Sequence, residues 1–274
     1  MKKYTTKKIY MQQIRNLVKD NKKIYLELIL NDFRSRYNGS FLGMIWGFIQ
    51  PVITILIYCL VFQYGLRSGE RPDGLPYVFF MISGAVPWFF FSEAWGGITT
   101  SFLDYSYLVK KINFEVKLLP LVKLGSAWII HIVFLVFSTV VLNFSGYFAS
   151  WYYVQIVYYM FAVTALVLSV GMITASLAVY IRDVIQIVGI IIQIGFWVNP
   201  ICWGSDMPYG IWGTLLKLNP MYYCVEGYRN CLIYRQGFWE EPFYMLYFWC
   251  LVILISVLAM HIYKKMYPNF ADVM

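Results

Sequence analysis

Residues 118–144 read LLPLVKLGSAWIIHIVFLVFSTVVLNF. Beyond Lys123 the stretch holds no acidic or strongly basic side chain, and His131 is its one titratable ring. About 20 mainly apolar residues in a helix cross the ~30 Å hydrocarbon core of a bilayer, so this stretch predicts a membrane span. Working outward, Phe41 to Phe62, Tyr77 to Ser101, Tyr152 to Val179, Val184 to Trp203 and Phe243 to Tyr263 have the same character. With 60% hydrophobic and only 13% charged residues in 274, the chain lacks the polar surface a soluble core needs. In lipid each span must satisfy its own backbone, which favours helices. The sequence predicts an all-α integral membrane protein of six transmembrane helices.

The basic residues orient it. With the N-terminus inside, 17 of the 22 lysines and arginines fall on the cytoplasmic side, against Arg67, Arg71, Lys217, Arg229 and Arg235 outside. The net charge of +8 therefore reads as membrane orientation, not as a nucleic-acid footprint. Residues 1–40 form a cytoplasmic N-terminus. Within it Ile14, Leu17, Val18, Ile24, Tyr25 and Leu28 recur at helical spacing, opposite Arg15, Lys19, Lys22 and Lys23. That pattern predicts an amphipathic helix in the membrane interface. The basic, periodic first thirty residues do not resemble a cleaved secretory signal. Residues 41–264 form the six-span domain, and 265–274 a cytoplasmic tail.

Two connections stand out. Asp104 to Lys117 is too polar to span and too long for a tight turn, and predicts a short cytoplasmic helix. Residues 208–235 are apolar at Leu215, Leu216, Tyr222, Tyr223, Leu232 and Ile233 but broken by Pro220, Gly227, Glu226 and Arg229. They read either as short re-entrant helices on the external side, tolerated where protein satisfies the backbone, or as a structured surface loop.

No catalytic machinery is legible. The chain has no G-x-x-x-x-G-K-[ST] phosphate loop and no H-E-x-x-H. Its five cysteines have no metal-type spacing, and His131 and His261 have no carboxylate at ligand spacing. We predict no catalytic residues, no metal site and no cofactor bound by this chain. Glu93 and His131 lie inside spans, where an ionisable group is costly. Glu93 reads as facing a watery path or as a paired carboxylate, and His131 as functional or as a helix-packing residue. Aromatic residues reach 20%. Tyr58, Phe62, Trp88, Phe89, Phe196 and Trp197 suit a lining for sugar rings, though interfacial belts also gather aromatics.

Several stretches resemble one family. Leu30-Asn31-Asp32-Phe33-Arg34-Ser35-Arg36-Tyr37, then Leu42-Gly43-Met44-Ile45-Trp46 and Gln50-Pro51, look like the family's entry from interfacial helix into first span. Leu108-Val109-Lys110-Lys111-Ile112-Asn113-Phe114, Leu118-Leu119-Pro120, Arg182-Asp183-Val184, Asn199-Pro200-Ile201, Asn219-Pro220 and Tyr228-Arg229 follow in the family's order. The chain is similar to the membrane subunit of type-2 ABC exporters of cell-surface polysaccharides, which include teichoic acid, O-antigen and capsule permeases. Phe62 to Gly69 and Gly84 to Trp88 look closest to the teichoic acid branch. One departure is Glu115, which follows Phe114 where relatives often carry proline.

The resemblance implies a homodimer in the bacterial cytoplasmic membrane, bound to two copies of a separate ABC ATPase that holds the ATP and magnesium. It implies a channel at the dimer interface, with Tyr58, Phe62, Trp88, Phe89, Glu93, Phe196 and Trp197 along the glycan. The segment Asp104 to Lys117 becomes the coupling helix, docking through Asp104, Tyr107, Lys110, Lys111, Phe114 and Glu115, with Arg182 and Asp183 as a second contact. Lys19, Lys22, Lys23, Arg34 and Arg36 would capture the pyrophosphate of an undecaprenyl-type lipid-linked polysaccharide. Pro220, Tyr222 and Arg229 would gate the exit. An ABC permease for a drug or non-glycan lipid, and a polytopic enzyme acting on lipid-linked sugars, remain alternative readings.

On this reading, changing Lys110 and Lys111 together to glutamate is expected to uncouple ATP hydrolysis from export without unfolding the spans. Unchanged export in that double variant would refute the docking assignment.

Overall fold

The computed structural model describes residues 23, 25–37, 41–61, 74–109, 116–148, 150–204 and 210–273. All regular structure among them is helical. Helix α1 covers 25–35. It is followed by α2 (Trp46–Leu60), α3 (Tyr77–Asp104), α4 (Leu119–Phe144), α5 (Gln155–Tyr180), α6 (Asp183–Val198), α7 (Ile211–Lys217), α8 (Pro220–Arg229) and α9 (Pro242–Met266).

With their flanking turns, α2, α3, α4, α5 and α9 are long and apolar enough to cross a membrane. The window expected as the fifth span behaves differently. Helix α6 has 16 residues, below the 18 that α2 reaches with its flanking turn, because the backbone turns extended at Asn199 and Pro200 follows. Asn199 is buried and its amide donates back to the Gly195 carbonyl, closing the helix end.

Helix α3 is the centre. Two thirds of its span is buried, against about a sixth for α2 and α9 (67% against 17% each). Small residues let neighbours approach it. Ile98 on α3 fits against Gly171 on α5, where a Cβ would come within 2.6 Å of the isoleucine. Trp88 fits against Gly195 on α6 in the same way, at 2.5 Å. Close backbone approach at small residues is how helices associate where lipid offers no hydrophobic drive. Hydroxyls add short links, with Trp95 donating to Thr174, which also bonds Thr99 at 2.7 Å, and Ser169 bonding Ser256 at 2.6 Å.

At one end of the bundle α1 lies across the start of α4. Its Ile29 covers Gly125, and Ser126 donates to the Ile29 carbonyl at 3.1 Å. The exposed flanks of α2, α6 and α9 carry Leu56, Ile57, Ile190, Ile194, Leu254 and Val257, the apolar surface expected against lipid or another membrane chain. At the other end α8 is packed into the bundle, with Met221, Tyr222, Tyr223, Cys224, Val225 and Tyr228 all buried. Asn219 caps it, its side chain accepting from the Met221 amide at 3.0 Å, and Pro220 occupies the first turn, where its missing N–H costs nothing. The apolar half-helices read from the sequence are therefore α7 and α8, with α8 continuing into a π turn at Asn230–Tyr234.

The tightest of these contacts is testable. A Cβ on Gly227 of α8 would sit 2.0 Å from the ring of Tyr159, itself buried. Gly227→Ala is expected to destabilise the fold by about 1–3 kcal/mol, read as a lower melting temperature in detergent. Gly96→Ala, where a Cβ meets nothing within 4 Å, should leave it unchanged.

Candidate functional site

The main concentration of charge in the bundle is built around Asp32 on α1. Its carboxyl is 4% exposed. Arg36, one turn later, donates to Oδ2 through Nε at 3.2 Å and Nη2 at 3.0 Å. Lys123, from the first turn of α4, places Nζ 2.7 Å from Oδ1, and the Tyr105 hydroxyl donates to the same oxygen at 2.9 Å. A carboxylate this buried is stable only when paired and fully hydrogen-bonded. Burial by itself would raise the Asp32 carboxyl, but the hydrogen bond and charge of Lys123, with Ser126 and Arg36 behind them, hold it below the usual carboxylate range.

The cations reach further. Lys123 also bridges to Asp104 at the end of α3 at 2.8 Å and lies over the Tyr105 ring at 5.3 Å. Thr100 donates to the same Asp104 carboxylate at 2.7 Å. Arg36 donates through Nη1 to Glu93, in the middle of α3. Glu93, Gly97, Thr100 and Asp104 are spaced four, three and four residues apart and so share one face of α3. Gly97 leaves that face bare, and a Cβ there would sit 3.4 Å from Arg36 Nη2 and 3.6 Å from Lys123 Cβ. Three helices are thus joined by one ion network beside the connection that leaves α3 at Asp104.

At the opposite end Arg229 is fully buried. It donates to Glu226 at 2.6 Å and to the carbonyls of Pro200 at 2.7 Å and Phe80 at 3.4 Å, and its guanidinium lies 3.6 Å from the Phe80 ring centroid. Gly84 makes room for it. The planar fork of Arg suits such a multi-carbonyl socket. His131 on α4 bonds the Tyr228 hydroxyl at 2.9 Å and stacks beside Phe90, a packing link between α4 and α8.

The structure redistributes the residues chosen from sequence. Arg36 is not an open capture group, because Asp32 and Glu93 already hold it. Lys23 and Arg34 are exposed, and Lys19 and Lys22 lie outside the described residues. Asp104 belongs to α3 and pairs with Lys123, while Tyr107 next to it is 56% exposed. Lys110, Lys111, Phe114 and Glu115 lie outside the described residues, and the described flanks of that connection are short helical turns at Ser106–Val109 and Val116–Leu118. Arg182 and Asp183 are exposed at the start of α6.

Of the aromatic set, Tyr58, Phe196 and Trp197 converge, Tyr58 stacking on Phe196 at 5.1 Å and meeting Trp197 at 5.9 Å. Trp88 backs them at 6.5 Å from Phe196 but is buried against α6 and presents no open face. Phe89 lies apart, beside Phe134, in a cleft also lined by Pro51, Glu93, Ile130 and His131. Phe62 is outside the described residues. In the exit set, Arg229 is no external loop charge but the centre of the socket that fixes α8, and Tyr222 is buried beside Tyr244. Asp32, Lys123 and Tyr105 were missed. The i, i+4 spacing of Asp32 and Arg36 was a visible clue, whereas nothing local marks Lys123 as their partner.

A profile of the ABC-2 type transporter family matches residues 25–233, from the start of α1 to the end of α8 and its π turn. The chain belongs to the ABC-2 type transporter family. The matched region contains the whole Asp32 network and the Arg229 socket. Among relatives of this ABC-2 chain is the O-antigen export system permease protein RfbA of Myxococcus xanthus, 25% identical over 251 residues that cover 91% of this chain and 94% of the relative. A protein of the same name from Klebsiella pneumoniae is 24% identical over 249 residues, covering 89% and 92%. An ABC-2 transporter chain of this kind is a multi-pass membrane protein of a transport system.

The Asp32 network makes a stability prediction with a definite sign. Its folded carboxyl titrates below the unfolded value near 4, so its contribution is present above that pH and is lost as pH falls through the folded value. Asp32→Asn should abolish that acid-side loss, measured as melting temperature against pH in detergent. Lys123→Met, which leaves the buried carboxylate with Arg36 and the Tyr105 hydroxyl but without its second cation, is expected to cost about 3 kcal/mol at neutral pH.

Proposed function

We propose that this chain is the membrane subunit of an ATP-driven exporter that moves a lipid-linked polysaccharide of O-antigen type from the cytoplasmic to the outer face of the bacterial cytoplasmic membrane. The observation that carries the reading is the near-complete overlap with two O-antigen export permeases, 91% and 89% of this chain and 94% and 92% of theirs. A teichoic acid-type polymer is the second reading, supported by the resemblance of Phe62 to Gly69 and Gly84 to Trp88 to that branch.

In this proposal two copies of the chain, each with six spans and both termini in the cytoplasm, form the path between them. Two copies of a cytoplasmic ABC ATPase bind ATP and magnesium. Their closure presses on the connection between α3 and α4 and on Arg182 and Asp183, shifting the spans and opening the path. The ion network at Asp32 supports this role, because it ties α1, α3 and α4 together next to that connection. Lys23 and Arg34, exposed on the α1 side, attract the anionic lipid carrier, each contributing about 1 kcal/mol near an anionic surface. The cluster of Tyr58, Phe196 and Trp197 offers sugar-complementary aromatic faces, half-exposed at Trp197. Helix α7 and the fixed α8 frame the exit.

The deciding experiment expresses the chain with the ATPase encoded beside it and purifies both in mild detergent. Co-elution in equal amounts with ATP hydrolysis is the expected outcome. Elution of the chain alone, with no neighbouring ATPase bound, would overturn the reading, and the envelope polymer lost on deletion of the gene decides between the O-antigen and teichoic acid types.

A further inference from the structure

Arg36 has two carboxylate partners, and each has somewhere else to turn. Asp32 is 3% exposed at its side chain but keeps Lys123 at 2.7 Å and the Tyr105 hydroxyl at 2.9 Å if Arg36 leaves. Glu93 is 41% exposed at its side chain and lines the cleft beside it, so it has room to swing off Arg36. Arg36 itself is 20% exposed. It is therefore the exchangeable cation of the network, while Lys123, shared between Asp32 and Asp104 at 10% exposure, is the fixed one.

The surroundings of Glu93 indicate what would replace it. Glu93 lines a cleft with Pro51, Phe89, Ile130, His131 and Phe134, and that lining is apolar apart from Glu93 and His131. An anionic group on a hydrocarbon tail matches both parts. Its oxygens would take the guanidinium edge that Glu93 occupies, and its chain would lie along Phe89, Phe134 and Pro51. Phosphate oxygens accept the Arg fork in the same two-bond geometry as a carboxylate.

We propose that Glu93 is an internal stand-in for a lipid phosphate, occupying Arg36 until a phosphate- or pyrophosphate-bearing lipid at the α2–α3–α4 cleft displaces it. This deepens the exporter reading and rests on it for the meaning of the lipid, but the site is a property of this chain alone. Displacement swings Glu93 off Arg36 and leaves Asp32 with Lys123 and the Tyr105 hydroxyl, so α1 loses its tie to the middle of α3 while Asp32 and the Ile29 carbonyl still hold it to Lys123, Tyr105 and Ser126. An occupied site would then differ from an empty one in how α1 is held to α3, next to the connection leading to α4.

The test measures lipid retention by native mass spectrometry on the purified full chain, without the ATPase. The probes are a polyprenyl phosphate, the matching polyprenol and phosphatidylglycerol. Glu93→Gln removes the competing charge while keeping the side chain's size, and is expected to tighten polyprenyl phosphate binding by about tenfold with no change for polyprenol. Arg36→Gln should erase the difference between polyprenyl phosphate and polyprenol. The same gain for phosphatidylglycerol would support the phosphate site and name bilayer lipid as its occupant. Unchanged retention of both phosphates in Glu93→Gln, with melting temperature maintained, would overturn the proposal. Failure of the chain to bind an ATPase would remove the exporter reading and leave this result standing.

Discussion

Asp32 keeps a negative charge out of water, and the helices around it are placed to make that possible. A buried carboxylate without partners would neutralise or unfold its surroundings. Here Lys123, Arg36 and Tyr105 converge on it from α4, α1 and the end of α3. The glycine at position 97 and the small residues at 125 and 126 are consequences of the same constraint, since the cations and α1 must lie flat on α3 and α4 to reach the carboxyl. In a bundle whose other contacts are mostly apolar and tolerant of sliding, such a network fixes one register. Hydrophobic packing alone would bring α1 to the surface of α3 and α4 without specifying where it stops.

The two ends of the molecule solve the same electrostatic problem with opposite signs. At one end a buried anion is surrounded by cations from several helices. At the other, the buried cation of Arg229 is held by one carboxylate, two backbone carbonyls and an aromatic face. The carbonyls belong to Phe80 in α3 and Pro200 after α6, so α8 is bound to the bundle through groups that side-chain chemistry alone would not reveal. That arrangement makes α8 part of the scaffold and leaves α7, with Leu215 half-exposed, as the more loosely buried of the two half-helices.

Hydropathy made the long spans legible because α3, α4, α5 and α9, with their flanking turns, each run 28 to 30 residues and contain an apolar stretch of 18. The fifth window was overextended, since Ile201, Cys202 and Trp203 are as apolar as the helix before them and only Asn199 and Pro200 mark the turn. The polar site was harder to read. Charge counting treated Lys123 and Arg229 as loop charges on opposite sides of the membrane, yet both are buried and paired. Their removal from the count leaves the inside excess in place. The resemblance marked Asp32 to Arg36 as part of a motif, but a motif gives no partner across 91 residues of chain, and Lys123 became visible only when α4 was laid beside α1. For the aromatic set, composition could not separate Trp88, which packs inward, from Trp197, which faces out, because both lie on apolar helices and differ only in which neighbour covers them.

The order in which the chain is made treats the two buried charges unequally. The carbonyls that receive Arg229 lie at Phe80 and Pro200, both earlier in the sequence, so its socket can be assembled before the arginine emerges. Asp32 has only Arg36 close by in the chain, and its Tyr105 and Lys123 partners follow much later. Until α4 enters the membrane, α1 has no site in which to settle, and an early segment must wait on a late one. Helix α1 therefore precedes in the chain the segments it needs, and it reaches its final position only once α3 and α4 are in place.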